Sequence, residues 1–314
     1  MGRLAPVALF VLACAGGGLE EVDRTEFGFG SYVRVRALAP TRARAESAVG
    51  AAFHELHRLD TLWSAFLPGS DVERLNGRGS VVVHPETREL IVEALGYAEL
   101  TDGALDITIR PLTELWGFVG GEYRLPDSGA VRQSAGLVDW HRVRVRGDSI
   151  LLGEATRLEL GAVAVGAAVD CAVETLASRG AAQGLVDAGG DIRVFGDRRW
   201  RIGLQSPRGA GILRVLELRD AAVSTSGDYQ KCFEVGGRRY HHILDPVTGY
   251  PAEGCASVTV TAPTALAADA LSTALFVLGP DRGRALIARV GGAGAVFVVD
   301  AGDSLVELEG GSLP

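Results

Sequence analysis

Lysine is nearly missing from this sequence: Lys231 is the only one in 314 residues, and the other members of the 31 Lys+Arg are arginines. The bias is one of composition and by itself assigns Lys231 no role. No run of basic residues occurs, and 39 Asp+Glu leave a formal net charge of −8, which argues against nucleic acid or an anionic membrane surface as the main partner. Cysteines are few, at 14, 171, 232 and 255, with no C-x-x-C pair and no histidine at zinc-finger spacing. Neither a structural zinc site nor a disulfide framework is supported. Beyond the amino-terminal stretch, no segment reaches the roughly 20 uninterrupted apolar residues of a membrane-spanning helix. Catalytic signatures are missing too. GFGSYV lacks the third glycine of a dinucleotide fingerprint and leads into a strand, and there is no G-x-x-x-x-G-K-[ST], H-E-x-x-H or G-x-S-x-G.

What is present is a globular composition, 47% hydrophobic and 22% charged. A chain of this length can bury roughly three quarters of its unfolded surface without disulfides. At the amino terminus, Arg3 is followed by LAPVALFVLA, Cys14 and a glycine-rich stretch. That order reads as a bacterial lipoprotein signal, with residues 1–13 removed, Cys14 lipidated and a soluble body tethered only by the lipid. A secretory signal cleaved near Ala13 or Ala15, or an uncleaved start, are the plainer alternatives.

The remainder alternates patterns. GSYVRVRAL (30–38) has strand alternation, and 41–66 places Val49, Phe53, Leu56, Leu59 and Trp63 at helical spacing. A second helix is expected from Pro85 to about residue 100, and a third over 163–178 with Gly180 at its end. Seven short strands follow, then a helix over 264–278 and a last helix-and-strand pair. With no repeat, linker or composition break, the expectation is one α+β unit over 27–310, possibly two-lobed, with mixed or antiparallel sheets and packed helices.

Three segments are polar where a core would be apolar. In TDGALDITIRPLTELWGF (101–118), Asp106 and Thr108 read either as a helix end with a solvated loop or as ligand contacts. In DAGGDI (187–192), Gly189 and Gly190 permit positive φ, which suits an anion-binding nest or a tight turn. The third runs from STSGDY (224–229) through RRYHHILDPVTGYP (238–251) to TALAADALSTALFVLG (264–279). Asp269 and Thr273 are four apart on an apolar helix and share a face, a hard-oxygen pair suited to Mg²⁺, although a solvated Asp beside a back-bonded Thr is the bland account. His241 and His242 are adjacent in a strand and point to opposite faces. His54 and His57 read as a solvated helix face.

In this order these segments resemble the ApbE family of flavin transferases, over about residues 27–300. The resemblance rests on Gly30–Ser31, LWSAFLPGSDVERLN, TDGALDITIRPLTELWGF, LELGAVAVGAAVD, LVDAGGDIRVFG, VSTSGDYQKCFE, HHILDPVTGYP and ADALSTALFVLG. It implies a lipid-anchored protein on the periplasmic side of the inner membrane that binds FAD with Mg²⁺. Such an enzyme moves FMN to a Thr or Ser hydroxyl of an exported flavoprotein, for example a subunit of Rnf-type or sodium-pumping NADH:quinone oxidoreductases, and releases AMP. By the same resemblance, Asp269, Thr273 and the carbonyl of Ala162 hold the metal, and His242 is the reactive base. Asp228 and Asp245 are the next candidates for the base should His242 prove a ligand contact. Phe29, Gly30, Ser31, Phe66, Ala104, Leu105, Asp106, Glu159, Val165, Tyr240 and His241 form the FAD contacts. Four positions depart from the family pattern: Phe29 for Met, Glu159 for Asp, Ala162 for Gly, and Val165 where a charged residue, commonly Lys, is usual. An FAD-storing lipoprotein or an FAD pyrophosphatase giving FMN and AMP are the alternative activities.

Overall fold

The computed structural model describes residues 18–302 and 304–313; the expected signal over 1–13 and Cys14 lie outside them. One antiparallel sheet of eight strands dominates. Its order is β1 (Glu20–Gly28), β2 (Ser31–Ala39), β6 (Gln183–Ala188), β7 (Asp191–Phe195), β10 (Ala221–Gly227), β13 (Ser257–Ala262), β14 (Gly294–Asp300) and β15 (Leu305–Gly311). Among the described residues three smaller sheets accompany it: β3 (Ser80–Val82), β4 (Val143–Arg146) and β5 (Ser149–Leu152); the hairpin β8 (Trp200–Gln205) and β9 (Ile212–Leu218); and the hairpin β11 (Cys232–Val235) and β12 (Arg238–His241). The helices are α1 (Arg42–Trp63), α2 (Asp71–Arg78), α3 (Pro85–Leu100), α4 (Arg110–Leu115), α5 (Ser128–Ala135), α6 (Ala164–Ser178) and α7 (Ala265–Ile287).

Long helices cover one face of the large sheet. α1 starts at Thr41, whose hydroxyl accepts the Arg44 N–H, and buries Ala45, Ala48, Val49, Ala52, Phe53, Leu56, Leu59 and Trp63 along one stripe. This stripe packs with α6 and α7 in the main core. On the other face the β8–β9 hairpin closes a second core, in which Trp200, Leu204, Leu216 and Leu218 meet Leu185, Val194 and Val223. A third cluster, centred on Trp116 with Leu112, Val131, Tyr240 and Leu244, joins α4 and α5 to the β11–β12 hairpin.

α6 and α7 cross at unusually close range, and the sequence allows it at one point. A Cβ on Gly166 would stand 2.5 Å from the Ala265 carbonyl oxygen and 2.9 Å from Asp269 Cβ. The start of α7 is pinned by Asp170 of α6, whose carboxylate accepts from Ala265 N (2.8 Å) and Leu266 N (2.9 Å) while pairing with Arg193 of β7 (2.7 Å). A carboxylate at a helix N-terminus satisfies free N–H groups and opposes the helix dipole.

The helix expected over 264–278 ends as read: Gly279 (φ 72°, ψ 177°) is non-helical, and a second helical stretch follows from Pro280, so α7 is two helices joined across a kink and ends at Ile287. Other readings need correction. β1 went unread because EEVDRTEFG carries charges where a buried strand would be apolar; it is an edge strand with a mostly exposed or half-buried pattern. The loop holding Asp106 and Thr108 is not solvated, since both residues are buried.

Gly166→Ala is expected to cost about 1–3 kcal/mol through the forced α6–α7 separation. Gly50→Ala, in an open position on α1, should be neutral or stabilise by up to about 1 kcal/mol. Denaturant titration of both variants checks this; equal stability of Gly166→Ala and wild type would contradict the packing account.

Candidate active site

A cavity of about 370 Å³ opens where the large sheet, α6, α7 and the Trp116 lobe meet. Its walls come from widely separated segments, each presented by a local device. The β1–β2 hairpin turns over two residues, Phe29 (φ 51°) and Gly30 (φ 73°), between the partners Gly28 and Ser31. Both turn residues are left-handed, as a two-residue hairpin of this hand requires. Phe29 N–H donates to Asp60 of α1 (3.3 Å), and Phe29, Gly30 and Ser31 line the cavity. The DAGGDI turn is likewise a hairpin, β6 to β7, with Gly189 and Gly190 at φ 68° and 107°; Gly189 and Asp191 face the same space.

Ala104, Leu105 and Asp106 form another wall. The Asp106 carboxylate is engaged by its own loop: Oδ1 accepts from Thr108 N (2.8 Å) and Thr108 Oγ1 (2.7 Å), and Oδ2 from Trp140 N (3.0 Å). Burial raises its pKa, and those donors oppose the rise. Glu159, Ala162 and Val165 line the cavity from the segment entering α6. Burial likewise raises the Glu159 pKa against the pull of Arg110 and Lys231, and Arg110 Nη1 lies 3.4 Å from its carboxylate. Ala162 is not among the residues with positive φ, so the backbone tolerates alanine there in place of the usual glycine.

Asp269 and Thr273 present their oxygens to the cavity from one face of α7. Asp269 Oδ2 accepts from Gly166 N (3.2 Å), and its pKa is raised well above the ordinary value, first by burial and then by the nearby Asp191. The Asp191 carboxyl is itself pushed up to about 6, by burial and by Asp187, with Ser224 opposing. Two neighbouring carboxylates, one of which raises the pKa of the other, beside a hydroxyl and the segment carrying the Ala162 carbonyl, make a hard-oxygen set that fits a small divalent cation. Thr273 Oγ1 lies 3.3 Å from Ser226 Oγ, which also meets Ser272 Oγ at 3.0 Å. Asp191, Ser224 and Ser226 were not singled out from the sequence, although DAGGDI and STSGDY both were.

His242 lines the cavity just beyond β12, its N–H bonded to the Lys231 carbonyl (3.0 Å). Its Nδ1 is buried without a hydrogen-bond partner. Burial, then the Lys231 charge, lowers its pKa to about 3, far from the ordinary imidazole value that suggested a base. His242 is therefore neutral at neutral pH and always able to accept a proton, but more weakly basic than a free imidazole. The following turn is fixed by Asp245, whose carboxylate accepts from Val247 N (2.8 Å) and Thr248 Oγ1 (3.2 Å), and by Trp116 Nε1 on the Gly249 carbonyl (2.9 Å).

Three expected FAD contacts lie elsewhere. Phe66 is 59% exposed and outside the cavity lining, with the Arg110 guanidinium over its ring. Tyr240 packs on Trp116 and Phe233 in the third core. His241, leaving the chain opposite His242, bonds the Ala252 carbonyl (3.0 Å) and meets Phe276 edge-on. The alternative bases are also occupied: Asp228 is clamped by Arg208 (2.6 Å), and Asp245 caps its turn. His54 and His57 are exposed on α1, as read.

Residues 29–297 match the ApbE family. The chain belongs to that family. An FAD:protein FMN transferase from Treponema pallidum is 33% identical over 95% of this chain and 90% of its own length. Another, from Vibrio cholerae, is 32% identical over 82% and 80%. The crystal structure of an ApbE protein from Thermotoga maritima superposes with a TM-score of 0.85 at 34% identity, covering 92% of this chain and 97% of the other. The apo flavinyl transferase ApbE of Pseudomonas stutzeri gives 0.84 at 34%, covering 93% and 95%. Phe29, Glu159, Ala162 and Val165, the four positions read above as departures, all line this cavity.

The lowered His242 pKa has a defined sign in stability. The unfolded imidazole takes up a proton below its ordinary 6.5, while the folded one does so only near 3. Acidification between those values therefore favours unfolding, and the group's contribution is complete only above 6.5. Ring-resonance titration by NMR should show His242 uncharged from about pH 7 to about pH 5; a midpoint near 6.5 would contradict its burial.

Proposed function

We propose that this protein is an FAD:protein FMN transferase that uses Mg²⁺ and a Thr or Ser hydroxyl acceptor and releases AMP. The observation that carries the reading is the convergence, in one cavity of an ApbE-family chain, of the Asp269–Thr273 oxygen pair and a neutral His242 with a free ring nitrogen. Asp269, Thr273 and the Ala162 carbonyl would hold the ion, with Asp191 adding charge beside them. Bound there, Mg²⁺ would supply charge neutralisation for the FAD pyrophosphate. Phe29 to Ser31, Ala104 to Asp106 and Glu159 to Val165 would enclose the dinucleotide. The acceptor oxygen forms a bond to the FMN-side phosphorus, the phosphoanhydride bond breaks, and AMP leaves with the bridging oxygen. The hydroxyl proton passes to His242. An anionic pyrophosphate nearby would favour the imidazolium, offsetting the low basicity that burial gives His242.

The acceptor in this reading is an exported flavoprotein, of the Rnf-type or NADH:quinone oxidoreductase class. Cys14 would carry a lipid that holds the enzyme at the periplasmic side of the inner membrane. Cell fractionation tests the anchor: Cys14→Ser should move the protein into the soluble fraction with transfer in vitro unchanged, whereas a wild type already soluble would replace lipidation by simple secretion.

Incubation with FAD, Mg²⁺ and an acceptor domain tests the activity. Flavin on the acceptor with stoichiometric AMP is the expected result; free FMN plus AMP would mean a pyrophosphatase, and intact FAD a binding protein. In the same assay His242→Asn should lose about 10²-fold or more in transfer with FAD affinity little changed, the usual worth of a positioned base. Loss of affinity in proportion to activity would make His242 a ligand contact.

A further inference from the structure

The cavity is acidic. Asp106, Glu159, Asp191 and Asp269 all face it, yet the proposed substrate brings a pyrophosphate. No arginine is among its lining residues, and His242 is held neutral, so the single lysine of the chain, Lys231, is the one fixed cation on its wall. Arg110 lies behind Glu159, paired with that residue and with Glu114. Lys231 stands between β10 and β11, exposed at the cavity's edge, and its backbone carbonyl is bonded to His242 N–H. Its charge is felt at two opposing groups of the site, depressing the pKa of both His242 and Glu159. Among the described residues no carboxylate lies within 4.0 Å of its ammonium, whereas the neighbouring Arg208 and Arg239 are paired with Asp228. An unpaired flexible ammonium at the mouth of an acid-lined cavity is a point charge available to an incoming anion.

We propose that Lys231 is the phosphate-binding residue of this site, contacting the non-bridging oxygens of the FAD pyrophosphate on the side where His242 receives the proton. Its selectivity is for the charged part of the ligand: a flavin without phosphate gains nothing from it. The proposal rests on FAD being the substrate, and the sole lysine makes it separately testable. Acylation of the folded enzyme with an amine-specific reagent can modify only Lys231 and the terminal amine, if that is free, and mass spectrometry of the peptide between Arg219 and Arg238 reads the extent at Lys231. FAD with Mg²⁺, and inorganic pyrophosphate with Mg²⁺, are expected to slow acylation about tenfold or more, while riboflavin leaves it unchanged. Equilibrium FAD binding should weaken about tenfold to a hundredfold in Lys231→Met, the worth of a charge-assisted contact, and recover most of that in Lys231→Arg. Protection by riboflavin equal to that by FAD, or full FAD affinity in Lys231→Met, would overturn the assignment. Protection by pyrophosphate without flavin transfer would instead uphold Lys231 and count against the transferase reading.

Discussion

Asp269 is a carboxylate buried on an apolar helix, with Gly166 N–H as its backbone donor and a second carboxylate, Asp191, close enough to raise its pKa further. Removing a charge from water costs several kcal/mol unless something replaces the lost hydration. The protein offers this group little, and the surrounding architecture keeps it there all the same. Gly166 lets α7 approach α6, Asp170 fixes where α7 begins, and Arg193 ties Asp170 to the strand that carries Asp191. Packing has set two acids side by side, and a cation with hard oxygen ligands is the natural relief.

The rest of the cavity divides its acids by how they are satisfied. Asp106 spends its lone pairs on Thr108 and Trp140 and so shapes a wall. Glu159 leans on Arg110. Asp191 and Asp269 line the same cavity, and Asp191 raises the Asp269 pKa, while a neutral imidazole and an exposed ammonium line it as well. In the proposed reading that polarity would orient a dinucleotide, with its pyrophosphate between the oxygen pair and Lys231.

Much of this was legible in the sequence because the decisive residues break a local pattern. Asp269 and Thr273 stood out from an apolar helix, and His242 from a strand whose alternation separates it from His241. The glycine turn at 189–190 was visible as a backbone signal, whereas the turn at Phe29–Gly30 was not, residue 30 having read as the start of a strand. What escaped depends on contacts far apart in the chain. Nothing near Tyr240 says that Trp116, over a hundred residues earlier, claims its ring. Phe66 looks like a stacking platform until Arg110 is seen over it. The depth of His242, which sets its pKa, is a property of the assembled lobe. Lys231 was visible as a rarity, but only the cavity shows what surrounds it.

In the proposed reading, two acids brought together by the packing of α7 make a metal-dependent site for the FAD pyrophosphate. Calorimetric titration of FAD into the metal-free protein, with and without added Mg²⁺, tests it most directly when repeated for Asp269→Ala and Thr273→Ala. Tight FAD binding is expected only with Mg²⁺ in the wild type, with the metal effect abolished in Asp269→Ala and weakened in Thr273→Ala, which keeps the charge. Equal FAD affinity with and without Mg²⁺, or an unchanged metal effect in Asp269→Ala, would contradict the account.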